Sequence, residues 1–600
     1  MADTVTQVLE QTAARHEHRA AMRVKRGGTW QITTWREYQE QVMWAARGFI
    51  KLGLEPGQGV VIMGFSQPEW FVSDLAAIAA QGVPAGIYTT STAEQCHYIA
   101  DHAEAAVAVV ENQDYLEKFL RIRDRLPRLE GIVLMNGSSD VAGVYGWDQF
   151  LELGRQVSEE QLRQRIEVQR PEDVCTLIYT SGTTGPPKAV MLSHRNMVWT
   201  VRRVVESFGV GPQDILIGYL PPSHIAEQMV SLHCPLTAGC CTWFAESFEQ
   251  LGENLREVRP TIFLSVPRVW EKIQDAMQAA GAESSTLKKR IVAWARRVGL
   301  ESGYAEQRGR AKALLYPVAR KLVFSKVRQR LGLDRARLCF SSAAPISLET
   351  LEFFLSLGIP ILEIYGLSEC TGPATMSLPH RHKAGCAGVP VEGTEVEIAS
   401  DGEILIRGHH VFPGYYKDEA ATGDTLDKAG WLHSGDIGEF DEQGFLRVTD
   451  RKKELLVTSG GKNVAPQPLE MKLKQIPAVS QAVVVGDRRN YLGALFTLDS
   501  NRIQAEAQAA GSPARDSKSA AACQIFRRYL EKQVAVVNES QARYETIKRF
   551  VILPEDFSIA GGELTPTLKI KRRVICEKYA EQIEELYARN ADMNAASRRS

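Results

Sequence analysis

The chain has no uncharged apolar run approaching the ~20 residues of a bilayer-spanning helix, so an integral helical membrane protein is excluded. It also lacks charge of one prevailing sign. Its 71 Lys and Arg nearly cancel 72 Asp and Glu, leaving no overall field to draw it to nucleic acid. None of the ten cysteines stands in a C-x-x-C pair, and the start is not signal-like. Reduced thiols in a cytoplasmic protein, at most peripheral on a membrane, are therefore expected over a disulfide or zinc framework. No Gly-Lys-Ser/Thr occurs, so there is no Walker loop. There are no repeats, and biased composition is confined to an Ala/Ser-rich piece at 505–522 and a frayed end at 590–600.

What is present reads as a large α/β protein. Six hundred residues exceed one core, so two or more domains are expected. Residues 38–52 have apolar side chains at helical spacing, and 57–65 read as a turn into a buried strand. A helix at 69–80 and strands at 86–88 and 105–111 continue an alternation that implies a largely parallel, doubly wound sheet. The texture changes at 392–408, where short strands flank Asp401-Gly402 and suggest a small antiparallel subdomain.

The densest chemical signal lies at 179–188 (YTSGTTGPPK), between a strand at 174–179 and a helix at 193–208. Thr180, Ser181, Thr183 and Thr184 offer hydroxyl donors, Gly182 and Gly185 permit close backbone approach, and Lys188 brings charge. Such a loop suits phosphate; a flexible surface turn explains the glycines but not the donors beside a lysine.

This loop resembles the signature of the adenylate-forming superfamily, which includes acyl-CoA synthetases, luciferases and peptide-synthetase adenylation domains. Further segments follow in that family's order over residues 10–585. SSAAP at 341–345 is similar to the adenine-side motif, implying contacts from Ala343, Ala344 and Pro345. YGLSE at 365–369 is similar to the segment that stacks on adenine through Tyr365, continues through Gly366, Leu367 and Ser368, and reaches Mg2+ through Glu369. WLHSGD at 431–436 implies that Asp436 binds the ribose hydroxyls, and DRKK at 450–453 that Arg451 approaches the nucleotide while Lys453 is the hinge. TPTLKIKR at 565–572 implies that Lys569 is the catalytic lysine. Ser459, Gly460 and Lys462 would lie on the CoA side. The resemblance implies an N-terminal domain at 1–450, of doubly wound α/β subdomains plus a small β subdomain, and a mobile α+β domain at 451–600. ATP, Mg2+ and coenzyme A are its implied cofactors and co-substrates.

For the acid, LPPSHIAE at 220–227 places Ile225 where amino-acid-activating relatives carry an aspartate, and His224 where acyl-CoA synthetases flank the carboxylate. The chain looks most like long-chain acyl-CoA synthetases, including the bubblegum-type branch, with a fatty acid and CoA as partners. A fatty acyl-AMP ligase loading a carrier protein, a ligase for medium-chain or other carboxylates, a luciferase-like oxygenase and an inactive acyl or nucleotide sensor are the alternatives. Two departures stand out: Ala189 after the loop lysine and Ser342 before Ala-Ala-Pro, both where the family usually has glycine. Residues 288–337 carry fifteen Lys and Arg against Glu301, Glu306 and Asp334. Within them, 311–331 interleaves apolar and basic residues, either as a solvated face over a packed stripe or as a peripheral membrane contact.

Overall fold

A computed structural model of the chain describes residues 3–180, 186–282, 284–459, 462–565 and 568–587. Two compact units emerge. The first comprises Met1–Glu397, Leu405–Ser434 and Asp441–Leu446; the second comprises Ile398–Ile404, Gly435–Phe440 and Arg447–Ser600.

The first unit is built on a mixed sheet with the spatial order Val144–Gly146, Gly131–Leu134, Ala105–Val110, Gly59–Met63, Val83–Ile87, Val174–Thr180 and Lys188–Ser193. All neighbours are parallel except the last pair. Gly59–Met63 shows why a continuous apolar run was needed: it is buried throughout, because both sheet faces are covered. Val61 and Met63 pack with Ile99 and Phe119 of helices Ala93–His102 and Gln113–Ile122. The helix expected at 38–52 starts earlier, at Trp35, where Thr34 and Glu37 form a capping box. The helix Pro68–Ala79 is buried at every position, with Pro68 in its first turn.

A second sheet in this unit runs in the order Ile262–Ser265, Leu338–Ser341, Ile361–Leu367, Gly372–Met376 and Val389–Pro390. Its first three strands are parallel and the last two antiparallel. The carboxyl ends of such parallel strands are where open α/β sheets bind ligands. Ser342–Pro345 and Ser368–Cys370 follow directly from two of these ends.

The charged stretch folds as helix Thr286–Gln307 and a second helical run starting at Tyr316, from Tyr316–Ala319 through Arg320–Phe324 to Ser325–Leu331. Pro317 opens that run rather than interrupting it, since a first-turn N–H has no partner to lose. Ala319, Val323 and Phe324 pack on Ala295 and Val298.

In the second unit, Val479–Val485 pairs antiparallel with Leu492–Leu498, which pairs parallel with Ile547–Ile552. Alternation divides the strand Val479–Val485: Ala482 and Val484 join the cluster with Phe526, Leu530 and Val534 of helix Gln524–Glu539, while Val483 and Val485 join Ile575 and Leu586. The Ala/Ser-rich piece at 505–522 lies in helical structure. It forms helices Ile503–Ala509 and Ser517–Ala522, the second held by a capping box between Asp516 and Ser519. Buried Ile503, Ala507 and Ala520 anchor it, a small apolar face that composition alone conceals. All ten cysteines are free thiols, and only Cys523 and Cys576 are not fully buried.

Candidate active site

In the first unit two antiparallel strands flank the expected phosphate loop. A strand that periodicity did not assign, Lys188–Ser193, returns antiparallel to Val174–Thr180, with Thr180 opposite Lys188 and Tyr179 opposite Ala189. Ser181, Gly182, Thr183, Thr184 and Gly185 lie outside the described residues. The far side of the returning strand is held by the segment after Phe412, through Tyr416 N–H to Ala189 O at 2.9 Å and Met191 N–H to Gly414 O at 3.1 Å. The Ala189 methyl group is taken up in the core with Leu177 and Tyr179.

Lys188 is thereby aimed. Its Nζ lies 4.8 Å from the ring centroid of Tyr415, a cation–π contact. The Tyr415 hydroxyl donates to Glu369 Oε1 at 2.8 Å. Burial, followed by the Glu369 charge, pushes the Tyr415 phenol far above its ordinary range, so it stays a donor. Three residues from separate sequence segments thus form one relay, Lys188 to Tyr415 to Glu369. Tyr415 was missed by the motif reading; its signal was the Gly-Tyr-Tyr run after Phe412-Pro413.

Glu369 sits in the short helix Ser368–Cys370, fixed by Phe412 N–H to Glu369 O at 2.8 Å. Among the described residues no cluster of three or more His, Cys, Asp or Glu could hold a metal. A single carboxylate is nevertheless what Mg2+ takes when phosphates and water supply its other oxygens, so the donor set fits the ion. Upstream, Gly366 is obligatory: a Cβ there would lie 1.7 Å from Gly372 O. Tyr365 faces Thr375 across the antiparallel pair, just before the register shift at Gly366.

On the parallel neighbour, Ala343 adopts φ 74°, a left-handed conformation costly for a residue with a Cβ. Ser342 donates its hydroxyl to Ile364 O at 3.0 Å, which ties the side chain absent from a glycine to the next strand. Ala344 is half-buried and Pro345 exposed. Ser341 is buried with an unpartnered hydroxyl among the described residues.

His224 caps the short helix Ile225–Glu227, its Nδ1 accepting from Ala226 N–H at 3.1 Å. In the neutral ring the proton therefore resides on Nε2. Ile225 is buried in the core. Two residues on, Glu227 is buried and accepts from the Ser66 hydroxyl at 3.0 Å; burial pushes its carboxyl up to about 8. A π-helical turn, Gln228–His233, follows.

In the second unit, Asp436 and Arg451 come together, with Arg451 Nε 3.2 Å from Asp436 Oδ1. Asp436 is buried and Arg451 half-exposed. Asp450 does another job: its carboxylate accepts from Arg451 N–H at 2.7 Å and Gln467 N–H at 3.1 Å, tying strand Leu446–Arg451 to helix Pro466–Leu473. Burial raises that carboxyl to about 6. Lys453 is exposed in the short helix Lys452–Glu454.

Ser459 and Lys462 flank the tip of a small hairpin, Leu456–Val457 against Asn463–Val464. Ser459 donates to Asn490 Oδ1 at 2.6 Å, and Lys462 N–H to Thr458 Oγ1 at 3.2 Å; Gly460 lies outside the described residues. Lys569 is tied to Thr565: Thr565 N–H donates to Lys569 O at 2.8 Å, and Lys569 N–H to Thr565 Oγ1 at 2.9 Å. Arg572, in the same basic run, is not solvated. Its Nη2 lies 2.6 Å from Glu470 Oε1 and its Nε 3.3 Å from Glu454 Oε2.

A family model described as AMP-binding enzyme matches residues 9–416, and one described as AMP-binding enzyme C-terminal domain matches residues 453–591. The chain belongs to the AMP-binding enzyme family. This AMP-binding enzyme is 43% identical over 622 residues to the long-chain-fatty-acid–CoA ligase ACSBG2 of Xenopus laevis, covering 97% of the chain and 84% of the relative. It is 38% identical to the Homo sapiens ligase of that name (97% and 92% covered). It is also 38% identical to long-chain-fatty-acid–CoA ligase ACSBG1 of Bos taurus (99% and 86% covered). Its fold is similar to that of the A-PCP didomain of carboxylic acid reductase from Segniliparus rugosus in complex with AMP: TM-score 0.75, 21% identity, 99% and 83% covered. The ATP-bound RpMatB-BxBclM chimera B1 matches with TM-score 0.72, 20% identity, and 96% and 99% covered.

Proposed function

We propose that this AMP-binding enzyme is a long-chain fatty acid–CoA ligase. A fatty-acid carboxylate oxygen attacks the α-phosphorus of ATP, the bond to pyrophosphate breaks, and acyl-AMP forms. The CoA sulfur then attacks the acyl carbon, its thiol proton is lost, and AMP leaves with the electrons of the broken C–O bond. The observation that carries the reading is the Lys188–Tyr415–Glu369 relay beside the carboxyl edge of the second sheet, in a chain whose curated relatives are named long-chain-fatty-acid–CoA ligases.

Both reactants in the first step are anionic, so cations and oriented donors are required. Lys188 and the donors at 180–185 hold the β- and γ-phosphates, and Glu369 holds Mg2+, which when bound supplies further positive charge to the phosphates. Tyr365 stacks on adenine, with Gly366, Leu367, Ser368 and Ala343–Pro345 shaping its surroundings. Asp436 accepts from the ribose hydroxyls, and Arg451 steers that carboxylate while facing the nucleotide. Lys569 neutralises charge on the α-phosphate and the acyl carboxylate. His224, with its proton on Nε2, flanks the acyl carboxylate, and apolar Ile225 disfavours an α-amino acid. Functionally we divide the chain at 450/451, with Lys453 as the hinge on which residues 451–600 turn between the two steps. Ser459, Gly460 and Lys462 then serve the CoA side. Ten free thiols suit a reducing, cytoplasmic setting.

The test is a panel of carboxylic acids assayed for AMP and pyrophosphate release with and without CoA. Palmitate or oleate should give rapid turnover only when CoA is present. Turnover indifferent to CoA, or transfer only to a carrier protein, would sink the CoA-ligase reading.

A further inference from the structure

The helical pair formed by Thr286–Gln307 and the run starting at Tyr316 has a use that the packed core does not explain. If its apolar residues served only the interior, they would be buried. Ala319, Val323 and Phe324 are. Others are not: Leu314 is 97% exposed, Leu315 52%, Val318 46% and Leu322 48%. Among the fourteen large hydrophobic side chains exposed in the described residues, six fall within residues 287–322, Leu287 and Ile291 being the other two. Leu315, Val318 and Leu322 recur at three- and four-residue spacing and so share one helix face. Exposed Arg310, Arg320 and Lys321 accompany them, Lys312 is paired with Glu306 at 3.2 Å, and no Asp or Glu occurs from 307 to 333.

We propose that this face is a docking surface for an anionic lipid membrane. Aliphatic side chains flanked by cations, with no acid between, complement acyl chains below a layer of negative headgroups. An acidic protein groove would take the charge, but it gives no reason for a leucine left almost wholly in solvent at a turn. No helix among the described residues is long and apolar enough to cross a membrane, so the contact lies in the interface plane. It goes beyond the ligase chemistry and uses none of the residues assigned to it.

The full chain would be floated with phosphatidylcholine vesicles, with and without 30% phosphatidylserine. Binding should require the anionic lipid and weaken as salt rises. Arg310→Gln with Lys321→Gln should weaken it about 25-fold, from roughly fivefold per cation removed. Leu314→Gln with Leu315→Gln, at positions too exposed to upset the core, should weaken it at least about tenfold. Adenylation of a water-soluble acid should be unchanged in both. Absence of vesicle binding, equal binding to neutral vesicles, or variants that bind like the parent would overturn the proposal. An inactive chain that still binds vesicles would instead count against the ligase reading alone.

Discussion

Replacing Tyr415 by Phe removes one oxygen atom and separates the two halves of the Lys188–Tyr415–Glu369 relay. The ring remains under Lys188 Nζ at 4.8 Å, while the 2.8 Å hydrogen bond to Glu369 is lost. A hydrogen bond to a charged acceptor contributes about 1.5–3 kcal/mol, and Glu369 is only half-buried, so the lower half of that range applies. The expected loss in kcat/KM for ATP is roughly 13- to 45-fold. Tyr415→Leu also removes the ring face and should cost a further two- to fivefold, the worth of an ordinary cation–π contact of about 0.5–1 kcal/mol. Fatty-acid-dependent ATP–pyrophosphate exchange, measured against ATP concentration, reads both. In a Glu369→Gln background the Tyr415→Phe effect should shrink, because the charged acceptor is gone. The relay would be refuted if Tyr415→Phe stayed within twofold of the parent, or if Phe and Leu behaved alike.

Lys569→Ala should lower adenylation by about a hundredfold or more, while thioester formation from synthetic acyl-AMP and CoA largely survives; equal loss of both half-reactions argues against a lysine used in one step only. Gly366→Ala should cost about 3 kcal/mol in denaturant unfolding, since its methyl would meet Gly372 O at 1.7 Å. Gly423→Ala, whose methyl meets nothing within 4 Å in helix Glu419–Thr425, should be neutral or stabilising, and a similar loss there would discredit the steric reasoning. Asp74 is buried with both carboxyl oxygens unpartnered among the described residues, and burial raises it from 3.8 to about 8. The folded chain therefore keeps a proton that the unfolded chain gives up, and stability falls as pH rises from ~4 to ~8. Asp74→Asn should flatten thermal-unfolding profiles over that window and unfold at higher temperature than the parent at pH 8; parallel profiles would show that Asp74 is ionised in the fold.

Local chemistry made much of this protein legible before its structure. Fully apolar strands such as Gly59–Met63 announced a sheet covered on both faces, and the run of donors, glycines and a lysine at 179–188 suggested a phosphate loop. Tertiary pairing stayed hidden. Lys188–Ser193 reads as a loop end because one of the segments that hold it, at 414–416, is distant in sequence. Tyr415 stands outside the segments read as motifs and acquires a role only when the returning strand sets Lys188 over its ring. Arg572 shows the opposite limit: in a run of four basic residues nothing distinguishes the one neutralised internally by Glu470 and Glu454. Departures from the family pattern also become interpretable, since the Ala189 methyl goes into the core and the Ser342 hydroxyl onto a neighbouring carbonyl.

The burial of the cysteines makes this a protein with one convenient chemical handle. Thiolates, not thiols, react with maleimides and iodoacetamides. Burial holds Cys96 at about 11 and Cys234, Cys241 and Cys339 at about 12, and it also raises Cys576. Cys523 is the exception, lowered by its contact with the Ser512 hydroxyl at 3.2 Å and by the Phe526 amide. A fluorophore offered at neutral pH and low excess should therefore settle on Cys523 without engineering, giving the second unit a spectroscopic reporter in the native chain.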